Sequence, residues 1–199
     1  VIPEMTAWAR WLGVRRPKLV TTIHDVVFKE FPETYARRER WYADHATRLA
    51  LRAADRIIVP TQHVARDLER YYQCDPARLT TIHHGVAAFN GQMSNVNGQM
   101  SSPYLLYVGR LERKKNVARM IAAFDVIADR FPDLAFVLAG GPGYGYEDVA
   151  AAIVRSPHRS RIVATGWVDV DTCHQLLAHA AAFVFPTLAE GFGLPIIEA

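Results

Sequence analysis

The chain has 199 residues, of which 50% are hydrophobic and 22% are charged, a composition typical of one large or two small globular domains. Its apolar runs are shorter than the roughly 18 to 20 residues of a membrane span, and no charged and then apolar leader opens it, so the sequence predicts a soluble protein. Cys74 and Cys173 have no CxxC or Cys/His spacing. We interpret both thiols as structural and expect a reducing, cytoplasmic setting.

Positive charge exceeds negative charge by three, with 23 Lys and Arg against 20 Asp and Glu. The excess lies in two clusters, one formed by Arg37, Arg38 and Arg40 and the other by residues 110–115. This surplus favours an anionic small molecule or an anionic membrane face as the binding partner. We expect no nucleic acid partner, because duplex binding usually needs a more basic domain. For the first cluster, a solvated helix face is the favoured interpretation and peripheral contact with the inner membrane face is the alternative.

Short apolar runs alternate with helical patterns in both halves of the chain. The predicted strands are residues 19–23, 56–59 and 79–82 in the first half and 104–108, 135–138, 161–163 and 182–185 in the second. Apolar residues at steps of three and four from Val117 to Phe131 predict an amphipathic helix with Asn116 as its N-cap. This alternation predicts an α/β protein with doubly wound, Rossmann-like parallel sheets that carry helices on both faces.

The alternation stops at residues 87–102, where there is no apolar period and Asn-Gly-Gln-Met-Ser recurs after seven residues. We interpret 87–102 as a linker or polar insertion between a domain at 1–86 and a domain at 103–199. Neither half supplies the five or six strands of a complete doubly wound sheet. The chain also starts at Val1 without a Met and stops inside a predicted helix, so we expect a fragment with two incomplete domains.

The loop after the strand at 104–108 has the residues expected of a diphosphate site. Gly109 and Arg110 begin this loop and Lys115 ends it, directly before the predicted helix. Because backbone donors and a partial positive charge gather at a helix N-terminus, the two cations are well placed to bind an anion there. Arg113 and Lys114 of the same loop are interpreted as solvated basic residues.

The last predicted loop carries two acids that suit a polar ligand. Glu190 and Glu198 bracket a run in which Gly191 and Gly193 leave the backbone accessible and Pro195 suits the first turn of a helix. We expect the two carboxylates to bind different parts of one ligand. The alternative is that they merely complement a helix dipole at a common type of glycine-rich corner.

Other loops at the predicted carboxyl edges are weaker candidates. The glycine-rich segment 140–145 does not complete a dinucleotide fingerprint, because residue 146 is Tyr. Gly166, Trp167 and Val168 are placed to flank a nucleotide base. In the first half, His24 stands beside a carboxylate at a strand end, where catalytic and structural roles are equally open. His83 and His84 are interpreted as packing or hinge residues.

The order of these motifs resembles that of the retaining glycosyltransferases of family 4, two-domain GT-B enzymes that use nucleotide sugars. The matching motifs are His24-Asp25 with its preceding Ile, residues 54–61, residues 84–86, residues 108–110 with 115–116, residues 139–143, residues 166–168 and residues 186–198. The resemblance covers nearly the whole chain apart from residues 87–102. It implies sugar transfer from a UDP- or GDP-sugar to a glycan or lipid-linked acceptor with retention of anomeric configuration.

The resemblance also implies a role for each candidate residue. Arg110 and Lys115, beside Gly109, would neutralise the donor diphosphate, while Phe192 and Gly193 would offer backbone amides to the sugar and phosphate. Glu190 would contact donor-sugar hydroxyls, Glu198 the ribose hydroxyls, and His24 would face the reacting sugar from the first domain. Cations at a departing diphosphate and acids at the sugar suit an oxocarbenium-like transition state.

The same resemblance implies front-side attack in which the leaving phosphate takes the acceptor proton, with no metal and no cofactor besides the donor substrate. No Asp-x-Asp pair of the kind that would hold a metal is present. A bacterial envelope polysaccharide or similar glycoconjugate is the expected product class, and the fragment alone is expected to be poorly active. The alternatives are a GT-B-type epimerase or phosphorylase and a non-catalytic nucleotide-sugar-binding domain.

Overall fold

The computed structural model describes residues 17–86 and 103–199, and these form two compact units. The first unit contains the described residues up to Gly85 together with Glu190–Phe192, and the second contains the rest. The predicted linker at 87–102 lies outside the described residues. Within the described ranges, every helix is too short or too polar to cross a bilayer.

The first unit is built on three parallel strands in the order β1-β2-β3. Its elements are β1 (Val20–Thr22), α1 (Val27–Glu30), α2 (Arg37–Ala53), β2 (Arg56–Val59), α3 (Gln62–Tyr72) and β3 (Leu79–Thr81). Ile57 and Val59 of the central strand are fully buried in one core with Val64 and Leu68 of α3. Parallel strands need crossover connections, and the helices α2 and α3 supply them.

The second unit is built on four parallel strands in the order β6-β5-β4-β7. Its elements are β4 (Tyr104–Val108), α4 (Val117–Ile127), β5 (Ala135–Ala139), α5 (Tyr146–Arg155), β6 (Ile162–Gly166), α6 (Val170–His179), β7 (Ala182–Phe183) and α7 (Leu194–Glu198). The seven predicted strands are therefore all found, and β7 is shorter than its apolar run suggested.

Helices cover both faces of the second sheet, as the sequence predicts. Tyr107 and Phe136 belong to a core that α4 and α5 complete, whereas Leu106 and Val137 belong to a separate core against α6. The two sets alternate along their strands because successive strand side chains point to opposite faces. The predicted amphipathic helix is confirmed over most of its length, and its last turn is a tighter 3₁₀ turn at Ala128–Arg130.

Two charged side chains hold several segments of their units together. In the first unit, the Asp44 carboxylate accepts hydrogen bonds from Lys29, Arg48 and Tyr72. Partial burial raises the pKa of Asp44, but these three hydrogen bonds outweigh it and lower the pKa to about 2. In the second unit, the Arg161 guanidinium donates to the backbone carbonyls of Ala128, Phe131, Pro132 and Leu134.

Candidate functional site

Three loops meet at the carboxyl edge of the first sheet, because parallel strands end on the same side. His24 follows β1, Thr61 follows β2, and His84 lies shortly after β3. The exposed His24 ring stacks on the ring of His84, with centroids 5.3 Å apart and an interplanar angle of 24°. His84, interpreted from the sequence as a packing or hinge residue, thus packs directly on the histidine to which the resemblance assigns a role.

The segment Glu190–Phe192 belongs to the same unit and lies against these loops. Thr61 Oγ1 donates a hydrogen bond of 2.9 Å to the carbonyl oxygen of Gly191. The Phe192 ring meets the His84 ring edge-on, with centroids 5.1 Å apart. The half-buried Glu190 is therefore carried on a segment that is fixed at its next two residues.

Gly191 is required at its position by the closeness of the neighbouring backbone. A Cβ atom there would lie 2.0 Å from the carbonyl oxygen of His24 and 3.1 Å from Cβ of Asp25. The first distance is far below any real contact, so every other residue would force the two segments apart. Asp25 itself accepts a hydrogen bond from the amide of Val27, the first residue of the short helix α1.

In the second unit, the loop after β4 is shaped by a buried phenol. The hydroxyl of Tyr107 donates a 2.9 Å hydrogen bond to the carbonyl oxygen of Arg110. A Cβ at Gly109 would lie 2.8 Å from this hydroxyl, and the φ of Gly109 is +144°, so a glycine is needed. The Arg110 side chain is 69% exposed, and its Nε lies 3.9 Å from Oε2 of Glu112.

The glycine-rich loop after β5 runs alongside the loop that carries Arg110. Gly109 N donates to Ala139 O at 2.9 Å and Leu111 N donates to Gly141 O at 2.8 Å. A Cβ at Gly140 would lie 2.0 Å from the carbonyl oxygen of Gly109. The close approach that these glycines allow is therefore made to a neighbouring loop of the protein.

The expectation that Arg113 and Lys114 are solvated is wrong for Lys114, whereas the Arg113 side chain is 37% exposed and is paired at the surface. Arg113 forms ion pairs with Asp148 at 2.6 Å and Glu147 at 3.7 Å, both in the first turn of α5, where acids complement the helix dipole and attract a cation. The Lys114 side chain is only 19% exposed, and its Nζ lies 3.8 Å from Oε1 of Glu112.

Asn116 stands at the N-cap position of α4 as predicted, but its side chain does not cap the helix. Its backbone is left-handed, with a φ of 61°, and its side chain makes no capping hydrogen bond. Its amide nitrogen Nδ2 donates instead to the carbonyl oxygen of Pro186 at 3.1 Å. The neighbouring Lys115 is half-buried, and its Nζ lies 5.4 Å from the centre of the Phe185 ring. The loop after β4 is thus joined to the segment that follows β7.

The loop after β6 presents an aromatic ring to solvent. Gly166 ends the strand with a φ of +72°, and its carbonyl accepts a hydrogen bond from Gly140 N at 2.8 Å. The Trp167 side chain is 79% exposed, whereas Val168 packs against the core beneath α6. An exposed indole at this edge offers a stacking surface for a planar ligand.

Helix α7 begins after Gly193, whose φ is +86°, and it has Pro195 in its first turn as predicted. Glu198 is exposed at the end of this helix. Burial raises the pKa of the Cys173 thiol, and the charge of Glu198 adds a smaller increase. Cys74 and Cys173 are both free thiols.

One group of side chains in the described ranges has the spacing of a metal site. The ligand atoms of Glu30, His63 and Asp67 lie within 4.8 Å of one another. His63 already pairs with Asp67, one helical turn further along α3, at 3.4 Å. Glu30 and His63 are exposed, and similar surface groups are common without an ion, so we assign this group no part in the reaction.

Two family models match the chain in turn. Residues 2–88 match Glycosyltransferase Family 4, and residues 102–199 match the glycosyl transferases group 1. O-antigen chain mannosyltransferase B of Escherichia coli is 25% identical over 201 residues, which cover 95% of this chain and 52% of that protein. An uncharacterized glycosyltransferase of Bacillus subtilis, YqgM, is 27% identical over 188 residues, which cover 90% and 48%. The chain spans about half the length of these curated relatives.

Solved glycosyltransferase structures share the architecture. WaaG, a glycosyltransferase involved in lipopolysaccharide biosynthesis, aligns with a TM-score of 0.73 at 19% identity, over 98% of this chain and 59% of its own. Anabaena HepE, crystallised with UDP and glucose, aligns with a TM-score of 0.72 at 21% identity, over 99% and 53%. At these identities the likeness establishes the fold, and the predicted pair of Rossmann-like GT-B units is confirmed.

Proposed function

We propose that this chain, which matches two glycosyltransferase family models and shares the GT-B fold, forms part of a retaining, family 4 hexosyltransferase. The observation that carries the proposal is the packing of the segment Glu190–Phe192 beside His24. It brings a carboxylate and backbone amides to the strand-end edge that holds the histidine. The domain limits 1–86 and 103–199, with a linker at 87–102, belong to the same proposal.

Each candidate residue has a distinct part in this reaction. Arg110 and Lys115 neutralise the donor diphosphate, which leaves more easily when its charge is stabilised. Glu190 and His24 contact the sugar that is transferred. The other assigned groups are the backbone of Gly109, the amides of Phe192 and Gly193 for the sugar and phosphate, Glu198 for the ribose, and Gly166, Trp167 and Val168 for the base.

In the proposed step, the bond between the anomeric carbon and the diphosphate oxygen breaks while the acceptor oxygen attacks the same face. The departing phosphate oxygen takes the acceptor proton, so the configuration is retained and the products are the glycoside and the nucleoside diphosphate. Analysis of product stereochemistry by NMR with the full-length protein tests this. An inverted anomeric centre would exclude the mechanism.

Calorimetry with UDP-glucose and GDP-mannose tests the diphosphate assignment. Substituting Arg110→Ala should weaken donor binding by about one to two decades, because a hydrogen bond to a charged group contributes about 1.5–3 kcal/mol. Arg119→Ala is the matched control, since Arg119 is an exposed arginine on α4 nearby in sequence. Equal donor affinity in the two variants would contradict the assignment.

The relatives suggest the acceptor and product class. One relative is named an O-antigen chain mannosyltransferase, and WaaG is described as involved in lipopolysaccharide biosynthesis. We therefore propose a glycan or lipid-linked acceptor, polysaccharide biosynthesis and a cytoplasmic location. Screening the full-length protein against nucleotide sugars, with and without acceptor, tests the proposal and separates transfer from donor hydrolysis or epimerisation.

Peripheral membrane contact is a second proposal, supported by the exposed residues in the first two turns of α2. The exposed Arg37, Arg38 and Arg40 lie next to Trp41 and Tyr42, which are 68% and 71% exposed. Arginine attracts anionic lipid, and Trp and Tyr suit the interfacial layer. Replacing the three arginines with serine should abolish salt-sensitive co-sedimentation with vesicles containing phosphatidylglycerol, whereas Arg66→Ser on α3 should not. Equal co-sedimentation of both variants would refute the contact.

A further inference from the structure

We infer that Thr61 is a positioning residue that aims the backbone amide of Phe192 at the donor, an inference that rests on the proposed function. Thr61 stands at the N-cap of α3, and its hydroxyl oxygen accepts a hydrogen bond from Val64 N at 3.2 Å. The same hydroxyl donates to Gly191 O at 2.9 Å. A hydroxyl has one proton and two lone pairs, so it can make both bonds at once.

The consequence for Phe192 follows from the geometry of the peptide unit. The carbonyl of Gly191 and the N–H of Phe192 share one planar unit, and the described chain has no cis peptide bond. In a trans peptide these two groups point in opposite directions. By holding the carbonyl, Thr61 therefore directs the Phe192 N–H away from α3. A hydrogen bond at the carbonyl also polarises the unit and strengthens the N–H as a donor.

Other contacts leave this peptide little freedom to turn. On one side, Gly191 lies so close to the backbone of His24 that not even a Cβ atom fits. On the other side, the Phe192 ring is held against the rings of His84 and His83, at centroid distances of 5.1 and 5.8 Å. Of these contacts, the bond from Thr61 is the one that selects between the two orientations of the peptide plane.

Four substitutions separate this positioning role from helix capping. Thr61→Ser and Thr61→Asn keep both an acceptor for the Val64 amide and a proton to donate. Thr61→Asp keeps the cap but has no proton to donate at neutral pH, and Thr61→Val lacks both. If the role is positioning, the Asp and Val variants should share a loss of donor affinity, although only the Val variant loses the cap.

We expect the Ser and Asn variants to bind UDP-glucose or GDP-mannose within about threefold of the wild-type chain. The Asp and Val variants should bind about 3- to 10-fold more weakly, the range that one lost hydrogen bond produces. Thermal unfolding should show the Val variant less stable than the Asp variant, because both lose the hydrogen bond to Gly191 O but only the Val variant also loses the helix cap. The uncharged Val variant also controls for repulsion between the Asp carboxylate and the diphosphate.

Hydrogen exchange at the Phe192 amide, measured without donor, gives a readout that is independent of activity. It should be faster in the Asp and Val variants than in the Ser and Asn variants. Donor affinity and exchange that stay unchanged in the Asp variant would reduce Thr61 to a helix cap and overturn the inference. A full-length wild-type protein that binds no nucleotide sugar would instead refute the proposed function, while the exchange rates would still decide whether Thr61 orients the peptide.

Discussion

Replacing Gly140 with alanine should disrupt the second unit where the loops after β4 and β5 run side by side. The new Cβ would lie 2.0 Å from Gly109 O, where real contacts are longer than 3.0 Å, and the φ of +153° is itself unfavourable for alanine. Such a backbone conformation costs about 1–3 kcal/mol in a residue with a side chain. Moving the loops apart also stretches the hydrogen bonds Gly109 N to Ala139 O and Leu111 N to Gly141 O.

Each of the two stretched backbone bonds adds about 0.5–1.5 kcal/mol, so the total loss of unfolding free energy should be roughly 2–6 kcal/mol. Urea unfolding followed by circular dichroism measures it, provided that the slope of the transition is unchanged. The matched control is Gly141→Ala, because a Cβ at Gly141 has no atom within 4 Å. If Gly140→Ala proved as stable as Gly141→Ala to within about 0.5 kcal/mol, the argument from loop contact would be refuted.

Three further changes have expected outcomes of their own. Tyr107→Phe should lower the free energy of unfolding by about 1 kcal/mol and weaken donor binding, because it removes the hydrogen bond to Arg110 O. Tyr104→Phe, which removes a hydrogen bond to the helix carbonyl Leu176 O, should lower it by a similar amount and leave donor binding unchanged. Arg161→Ala should lower the free energy of urea unfolding by at least about 2 kcal/mol, because four backbone carbonyls lose their donor. Its control, Arg159→Ala at an exposed position, should lower it by less than about 0.5 kcal/mol. The folded-state pKa of Asp44 is lowered to about 2. The ionised carboxylate therefore stabilises the folded state fully above pH 4, and this stabilisation is lost as the pH falls towards 2. Between pH 4 and pH 2 the free energy of unfolding should fall by roughly 1–2 kcal/mol more in the wild type than in Asp44→Asn. If the unfolding free energies of the two proteins fell in parallel with pH, the stabilising role of the Asp44 carboxylate would be contradicted.

The sequence predicted the strands well because their signal is local. Buried parallel strands such as β4 and β5 are continuous apolar runs, and all seven predicted segments form strands near their predicted positions. The end of the chain shows where a local signal is insufficient. The run at 182–185 is apolar throughout, yet only Ala182–Phe183 pair with β4, since strand length also depends on the neighbouring strand.

The loop after β4 could not be predicted in the same way, because its contacts come from distant parts of the chain. Arg113 was expected to be solvated, but its partner Asp148 lies 35 residues away, at the start of another helix. Asn116 has the residue type of an N-cap, but Pro186 O, 70 residues away, takes its side-chain amide. Propensity identifies what a residue can do, and the tertiary partner decides which option is used.

The two residues that the sequence did not single out, Thr61 and Tyr107, have the same kind of effect. Each side-chain hydroxyl donates to a backbone carbonyl in a candidate loop, Tyr107 to Arg110 O and Thr61 to Gly191 O. Neither hydroxyl needs to contact a ligand. Thr61 fixes the Phe192 N–H that follows the Gly191 carbonyl, whereas Tyr107 holds the backbone of a loop whose Leu111 N–H already donates to Gly141 O. Preorganised amides stabilise developing charge without reorganising during the reaction. On this reasoning, removing either hydroxyl should impair donor binding while leaving every charged candidate side chain in place.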